Sequence, residues 1–276
     1  MKELATRSLV ALWGVPLILG LSYLGSYYFL VFILFVNGFA LWEFYTMFRN
    51  KQVYPYRFLA VILSTFFLIY VFFFQLHQLA LVAVIVVLTL LLRHLKLTVP
   101  NPSMHTVYTI AGFFYITMLL STMLIFRMQF TVYFSHISRS NPGGLFLILI
   151  WISIWICDTM AYLGGKKFGK HQMAPHTSPN KTIEGGAFGL VSAVLVFWLI
   201  GPVLLPEIPE KYFWLSGLIV GIFGQLGDLV ESRFKRDAGV KDTSTLLPGH
   251  GGILDRFDSF IFVSPFFLIL LYSAKF

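Results

Sequence analysis

Asp228, Glu231 and Ser232 stand at i, i+3 and i+4, a spacing that puts three oxygen-bearing side chains on one face of a helix. Asp255 and Asp258, at i and i+3, do the same at the start of a later apolar segment. Brought together, the two helix ends would form an oxygen-rich cage suited to a hard cation such as magnesium rather than to zinc. Arg233, Lys235, Arg236, Lys241 and Arg256 alternate with these acids. Carboxylates, a metal ion and cationic side chains are together the means of holding a polyphosphate in line for displacement at phosphorus.

Structural explanations exist for single members of this set. Asp255 and Asp258 would serve as an N-cap and first-turn acid of the following helix, and Lys235 and Arg236 fit simple sorting of basic residues to one membrane side. Neither explains the mixture. From Ser232 to Asp258 the chain interleaves acids and bases with Gly249, Gly251 and Gly252 and a lone His250. Glycines permit a close backbone approach to a ligand, and the histidine offers a donor to a phosphate oxygen.

A second polar segment contributes more candidates. Asp158 lies inside an apolar run, where a carboxylate costs roughly 2.5 to 3.5 kcal/mol on insertion scales and so faces a polar cavity or a partner. Beyond it, Ser178, Lys181 and Thr182 in SPNKTIEGG could meet phosphates, lysine by charge and hydroxyls by hydrogen bonding; the alternative is a turn and cap that open the next helix. Gly164 to Lys170 nearly spells a phosphate-binding loop, but His171 stands where the magnesium-binding hydroxyl belongs and no strand precedes it.

The elements that must position these residues are helices in lipid. With 58% hydrophobic and 12% charged residues among 276, the chain is too apolar for an ordinary soluble domain. Apolar runs fall near 9–24, 27–48, 58–75, 79–95, 107–126, 144–164, 186–205, 212–230 and 258–274, long enough for a hydrocarbon layer of roughly 30 Å. Lipid leaves no partner for an unpaired peptide group, and the runs lack the alternation of barrel strands. An all-α, polytopic integral membrane bundle of about nine transmembrane helices is expected. The segment 127–143 reads as an external connection or a short interfacial helix. Cys157, the single cysteine, reads as a packed small residue.

With a cytoplasmic N-terminus, sixteen of the twenty Lys and Arg residues fall inside and four, Arg127, Arg139, Lys211 and Lys275, outside, a strong positive-inside bias. No convincing cleavage site follows the first run, which reads as a retained helix. Residues 1–140 hold two acids, Glu3 and Glu43, and residues 158–258 the other ten. One membrane domain, 1–276, is expected, with scaffold helices in 1–140 and a catalytic half in 141–276 whose cytoplasmic loops are 165–185 and 231–257.

These residues carry a family resemblance. Ser232-x-Phe234-Lys235-Arg236, then Lys241-Asp242, then Pro248-x-His250-Gly251-Gly252-x-x-Asp255-Arg256-Phe257-Asp258 closely resembles the signature of phosphatidate cytidylyltransferases, or CDP-diacylglycerol synthases. CDTMAYLGGKKFGK and SPNKTIEGG also look like that family's segments. The resemblance implies that CTP and phosphatidic acid give CDP-diacylglycerol and pyrophosphate with magnesium, the committed step toward phospholipids made from that product. It implies a paired-metal site on Asp228 and Asp255, the second cation unidentified; to these we add Asp158 or Asp258 as further candidate ligands. Lys235, Arg236, Lys241 and Arg256 would then neutralise phosphates, while Ser178, Ser232, His250, Lys181 and Thr182 orient oxygens. Membrane lipids are expected partners and nucleic acid is not; a homodimer through the N-terminal spans stays open. The expected location is a bacterial cytoplasmic membrane, with the site on its cytoplasmic side. Two other readings stay open: a CTP-dependent kinase of a lipid alcohol, and an ion-coupled transporter.

Overall fold

The computed structural model describes residues 2–134, 137–246 and 251–273, with side chains from Leu12 onward. Each apolar run becomes a helix. In chain order these are α1 (Lys2–Leu24), α2 (Ser26–Lys51), α3 (Arg57–Phe74), α4 (Leu79–His94), α5 (Pro102–Tyr133), α6 (Pro142–Phe168), α7 (Ile183–Leu204), α8 (Glu210–Ala238) and α9 (Leu254–Ser273). Six of them, α2, α3, α5, α6, α7 and α8, are long and apolar enough to cross a membrane, which makes the chain an all-α integral membrane protein. α4 and the apolar part of α1, Leu12–Leu24, are shorter, and α9 opens on the polar turn of Asp255, Arg256 and Asp258. Length and composition thus support six spans among the described residues, against the nine expected. Many outward side chains are large and apolar, among them Phe58, Phe66, Leu92 and Val132, each more than 60% exposed. Such a surface suits lipid and would be a liability in water.

Local sequence sets the helix ends. Pro102 and Pro142 occupy first-turn positions where a missing N–H costs nothing, and the Asn141 side chain caps α6 by accepting from Gly144 N at 3.2 Å. Gly239 ends α8 in the left-handed conformation, φ 75°. The expected connection at 127–143 is partly helical, because α5 runs on to Tyr133. There the buried Arg127 donates to the α1 carbonyls of Ser22 at 3.1 Å and Tyr23 at 2.9 Å. Those last-turn carbonyls have no helical partner of their own.

The core joins the two halves of the chain. Trp151 of α6 stacks on Phe260 of α9 with centroids 4.1 Å apart, while Phe257 meets Phe32 of α2 at 5.7 Å. Asn37 on α2 donates to Ser64 on α3 at 2.9 Å and accepts from Thr117 on α5 at 2.7 Å, a three-helix polar contact inside the bundle. α6 and α7 approach closely: a Cβ on Gly185 would lie 2.6 Å from Ala161 O and 3.0 Å from Gly165 Cα. Cys157 is buried on that seam against Gly189, as expected of a packed small residue. Between these helices the polar segment folds as an antiparallel hairpin of β1 (Gln172–Ala174) and β2 (Ser178–Thr182).

Candidate functional site

The acids of α8 and α9 meet because the two helices touch at a glycine. A Cβ on Gly227 would stand 2.6 Å from Phe262 Cβ and 3.0 Å from Asp258 O, so only glycine allows this separation. A π-helical turn at Val220–Gly224 precedes it in α8. Such a turn shifts the face presented by all later residues, and π turns recur at functional sites. The result is a group of three carboxylates, Asp228, Glu231 and Asp258, with one ligand oxygen of each within 4.8 Å of the others. Glu231 and Asp258 are buried at 0% and 8% exposure.

Two ammonium groups flank this cluster. Lys181, at the end of β2, forms an ion pair with Asp228 Oδ2. Lys235, one turn beyond Glu231, lies 2.5 Å from Glu231 Oε2 and 2.7 Å from Asp255 Oδ1. At that distance the Lys235 ammonium is the cation that shares the buried Glu231 carboxylate. Buried carboxylates in such a group are costly unless cations share them.

The remaining expected residues divide between the cluster and the segments that frame it. Asp158, exposed on α6, feels the charges of Asp228, Lys181 and Arg256, so three helices and the hairpin converge here. Ser232 donates to Asp228 Oδ1 at 3.2 Å, which fixes the carboxylate rather than turning the hydroxyl outward. Thr182 accepts from Gly185 N at 3.1 Å and caps α7, so for this hydroxyl the cap reading fits, while its neighbour Lys181 reaches an acid. Ser178 lies in the hairpin, paired with Ala174. Arg236 donates to the carbonyls of Thr177 and Val240, each at 3.2 Å, tying the hairpin to the chain after α8. Lys241 and Arg256 are exposed. His250 lies outside the described residues.

Asp255 sits beside the three-carboxylate group rather than in it. Its Oδ2 accepts from Thr243 N at 3.0 Å, Thr243 Oγ1 at 2.9 Å and Gly252 N at 2.7 Å, and its Oδ1 faces Lys235. Sequence spacing put Glu231 in the oxygen-rich cage without naming it among the metal ligands; the structure buries it completely beside Asp228 and Asp258. Glu43, read from sequence as part of the scaffold, also reaches this region, through Thr243, Ser244, Ile253 and Leu254, partners that its local sequence does not name.

The fold and the cluster define an integral membrane helical bundle that brings carboxylates and ammonium groups together. The profile of the Cytidylyltransferase family matches residues 5–274, so the chain belongs to that family. Among curated proteins it is similar to the phosphatidate cytidylyltransferase of Bacillus subtilis strain 168, 48% identical over 144 residues, 51% of this chain and 54% of that protein. Two others of the same name are those of Staphylococcus aureus strain COL, 48% identical over 143 residues (51% of this chain, 54% of that protein), and Staphylococcus saprophyticus, 46% identical over 139 residues (50% and 54%). The chain spans about half the length of the curated relatives it matches.

Proposed function

We propose that this protein transfers the cytidylyl group of CTP to phosphatidic acid, giving CDP-diacylglycerol and pyrophosphate. The observation that carries the reading is the Asp228, Glu231 and Asp258 cluster between Lys181 and Lys235, in a chain of the Cytidylyltransferase family. The lipid phosphate is already ionised near neutral pH, so a lipid oxygen forms the new bond to the α-phosphorus as the bond to the bridging oxygen of the β-phosphate breaks, and pyrophosphate leaves with that electron pair. No strong base is required. The demand on the site is electrostatic: two anions must approach, and a third must depart.

The donor set fits a hard divalent cation, since it is all oxygen, with three carboxylates each offering an atom within 4.8 Å of the others. Asp228, Glu231 and Asp258 would hold magnesium, and Asp255 and Asp158 would be further ligands. When bound, the cation supplies charge neutralisation at the triphosphate. Lys181 and Lys235 balance the acids and, with Lys241 and Arg256, lower the repulsion between substrate and nucleotide. Arg236 holds the hairpin against the second loop. The same reading makes 1–276 one membrane domain, puts the site on the cytoplasmic side of a bacterial inner membrane, and gives it a lateral opening through which the lipid delivers its head group.

CTP labelled at the α-phosphate tests the reading. Label entering a lipid product from the α position, with none from the γ position, supports cytidylyl transfer. Entry from the γ position would instead indicate a kinase, and no entry from either would remove both.

A further inference from the structure

We propose that Glu43, in the chain's otherwise acid-poor half, is a positioning residue that locks onto α2 the loop leading into α9, and with it the first-turn Asp255; its importance for turnover rests on the cytidylyl-transfer reading. Glu43 is 3% exposed. Its Oε1 accepts from Ser244 Oγ at 2.6 Å and Ile253 N at 3.0 Å, and its Oε2 from Leu254 N at 2.8 Å, with the Thr243 hydroxyl 3.1 Å away and sharing its one proton between Glu43 and Asp255. The four donors come in pairs from the two ends of one loop. Thr243 and Ser244 enter it, and Ile253 and Leu254 leave it into α9, whose first N–H groups have no helical acceptor.

Asp255 grips the same loop from the other side through Thr243 and Gly252. The Thr243 hydroxyl lies within reach of both acids, 3.1 Å from Glu43 Oε2 and 2.9 Å from Asp255 Oδ2. From Asp255 the connection continues to Lys235 at 2.7 Å and so to Glu231. A carboxylate is the side chain for this task because it offers acceptors only. An amide would turn an NH2 group toward two of the four donors. Around Glu43, α2 has its own support, with Ala40, Leu41, Phe44 and Tyr45 completely buried, so Glu43→Gln should loosen the loop while α2 keeps its place.

Two readouts on the full-length protein in detergent test the assignment. One is the rate at which a water-soluble maleimide labels Leu246→Cys, a loop position 47% exposed, with and without Glu43→Gln and in the absence of nucleotide and lipid. The native Cys157 is buried at 2% and sets the background. The other is the magnesium concentration for half-maximal pyrophosphate release. In the Glu43→Gln protein, recovered as a folded species by size exclusion, turnover should fall and labelling should rise by about tenfold or more, with half-saturation moving to higher magnesium. Unchanged labelling, or an unchanged magnesium response in the folded protein, would overturn the proposal. Ser244→Ala removes one donor to Glu43 and leaves α2 intact, but it also removes the acceptor of Leu246 N at 3.1 Å, so if Glu43→Gln does not fold its magnesium response decides the matter: half-saturation must move the same way, more weakly, and no movement would overturn the proposal. Because labelling is read without substrates, it judges the loop even if the unsubstituted protein releases no pyrophosphate, the result that would refute cytidylyl transfer itself.

Discussion

The Lys235 ammonium lies 2.7 Å from Asp255 Oδ1, joining the last turns of α8 to the first turn of α9. Both side chains are largely shielded, at 11% and 5% exposure, and Lys235 also faces Glu231. Replacing Lys235 with Met would leave two buried carboxylates without their cation, a change that costs about 3–5 kcal/mol for buried pairs. Thermal unfolding in detergent should show that loss together with loss of turnover. A Lys235→Met protein of native stability would contradict the pairing.

Asp228→Asn and Asp258→Asn should not share that loss of stability. Each removes one charge from three acids whose oxygens lie within 4.8 Å, relieving repulsion; Asp228→Asn also gives up the partly exposed ion pair with Lys181, a small loss for such a pair, so the folded protein should be about as stable as the parent without added metal. Turnover should fall about a hundredfold or more, of the order seen when an electrostatic group is removed from an active site. The result to watch for against this account is an active Asp228→Asn protein.

Magnesium should stabilise the folded state by mass action, about 2.7 kcal/mol at a hundredfold excess over the dissociation constant. A chelator should therefore lower the unfolding midpoint of the parent and abolish turnover reversibly, while leaving the midpoint of Asp228→Asn unmoved. A midpoint indifferent to magnesium in the parent would remove the acidic cluster from consideration as a cation site.

Asp255→Asn preserves shape but turns an NH2 group toward Lys235 or toward the donors of Thr243 and Gly252. Turnover should be lost with little loss of folded protein in a size-exclusion profile. Lys96→Gln, exposed between α4 and α5, should match the parent in both measurements.

The positions of the helices were legible because lipid forces each apolar run to satisfy its own backbone; all nine runs overlap helices. Their limits were less so. The run at 107–126 extends over Pro102–Tyr133 because Arg127, which in isolation reads as a loop residue, finds carbonyls at the end of α1. The hairpin at 172–182 escaped notice because β1 has three residues and too little pattern to announce a strand. At the site, helical spacing put Asp228 and Glu231 on one face, while the meeting of α8 and α9, which the cage required, is set by the contact at Gly227. What spacing could not give was direction: Asp255 turns to Lys235 and Thr243 rather than to Asp228, and that choice depends on partners twelve and twenty residues away. Glu43 carried one usable signal, a lone carboxylate inside an apolar segment.

Pyrophosphate release from purified protein in detergent, with CTP, phosphatidic acid and magnesium present and each omitted in turn, tests the central claim most directly. The account predicts release that requires all three, accompanied by a lipid-linked CDP product. Formation of free CDP with a phosphorylated lipid, or no nucleotide product under any of these conditions, would contradict it.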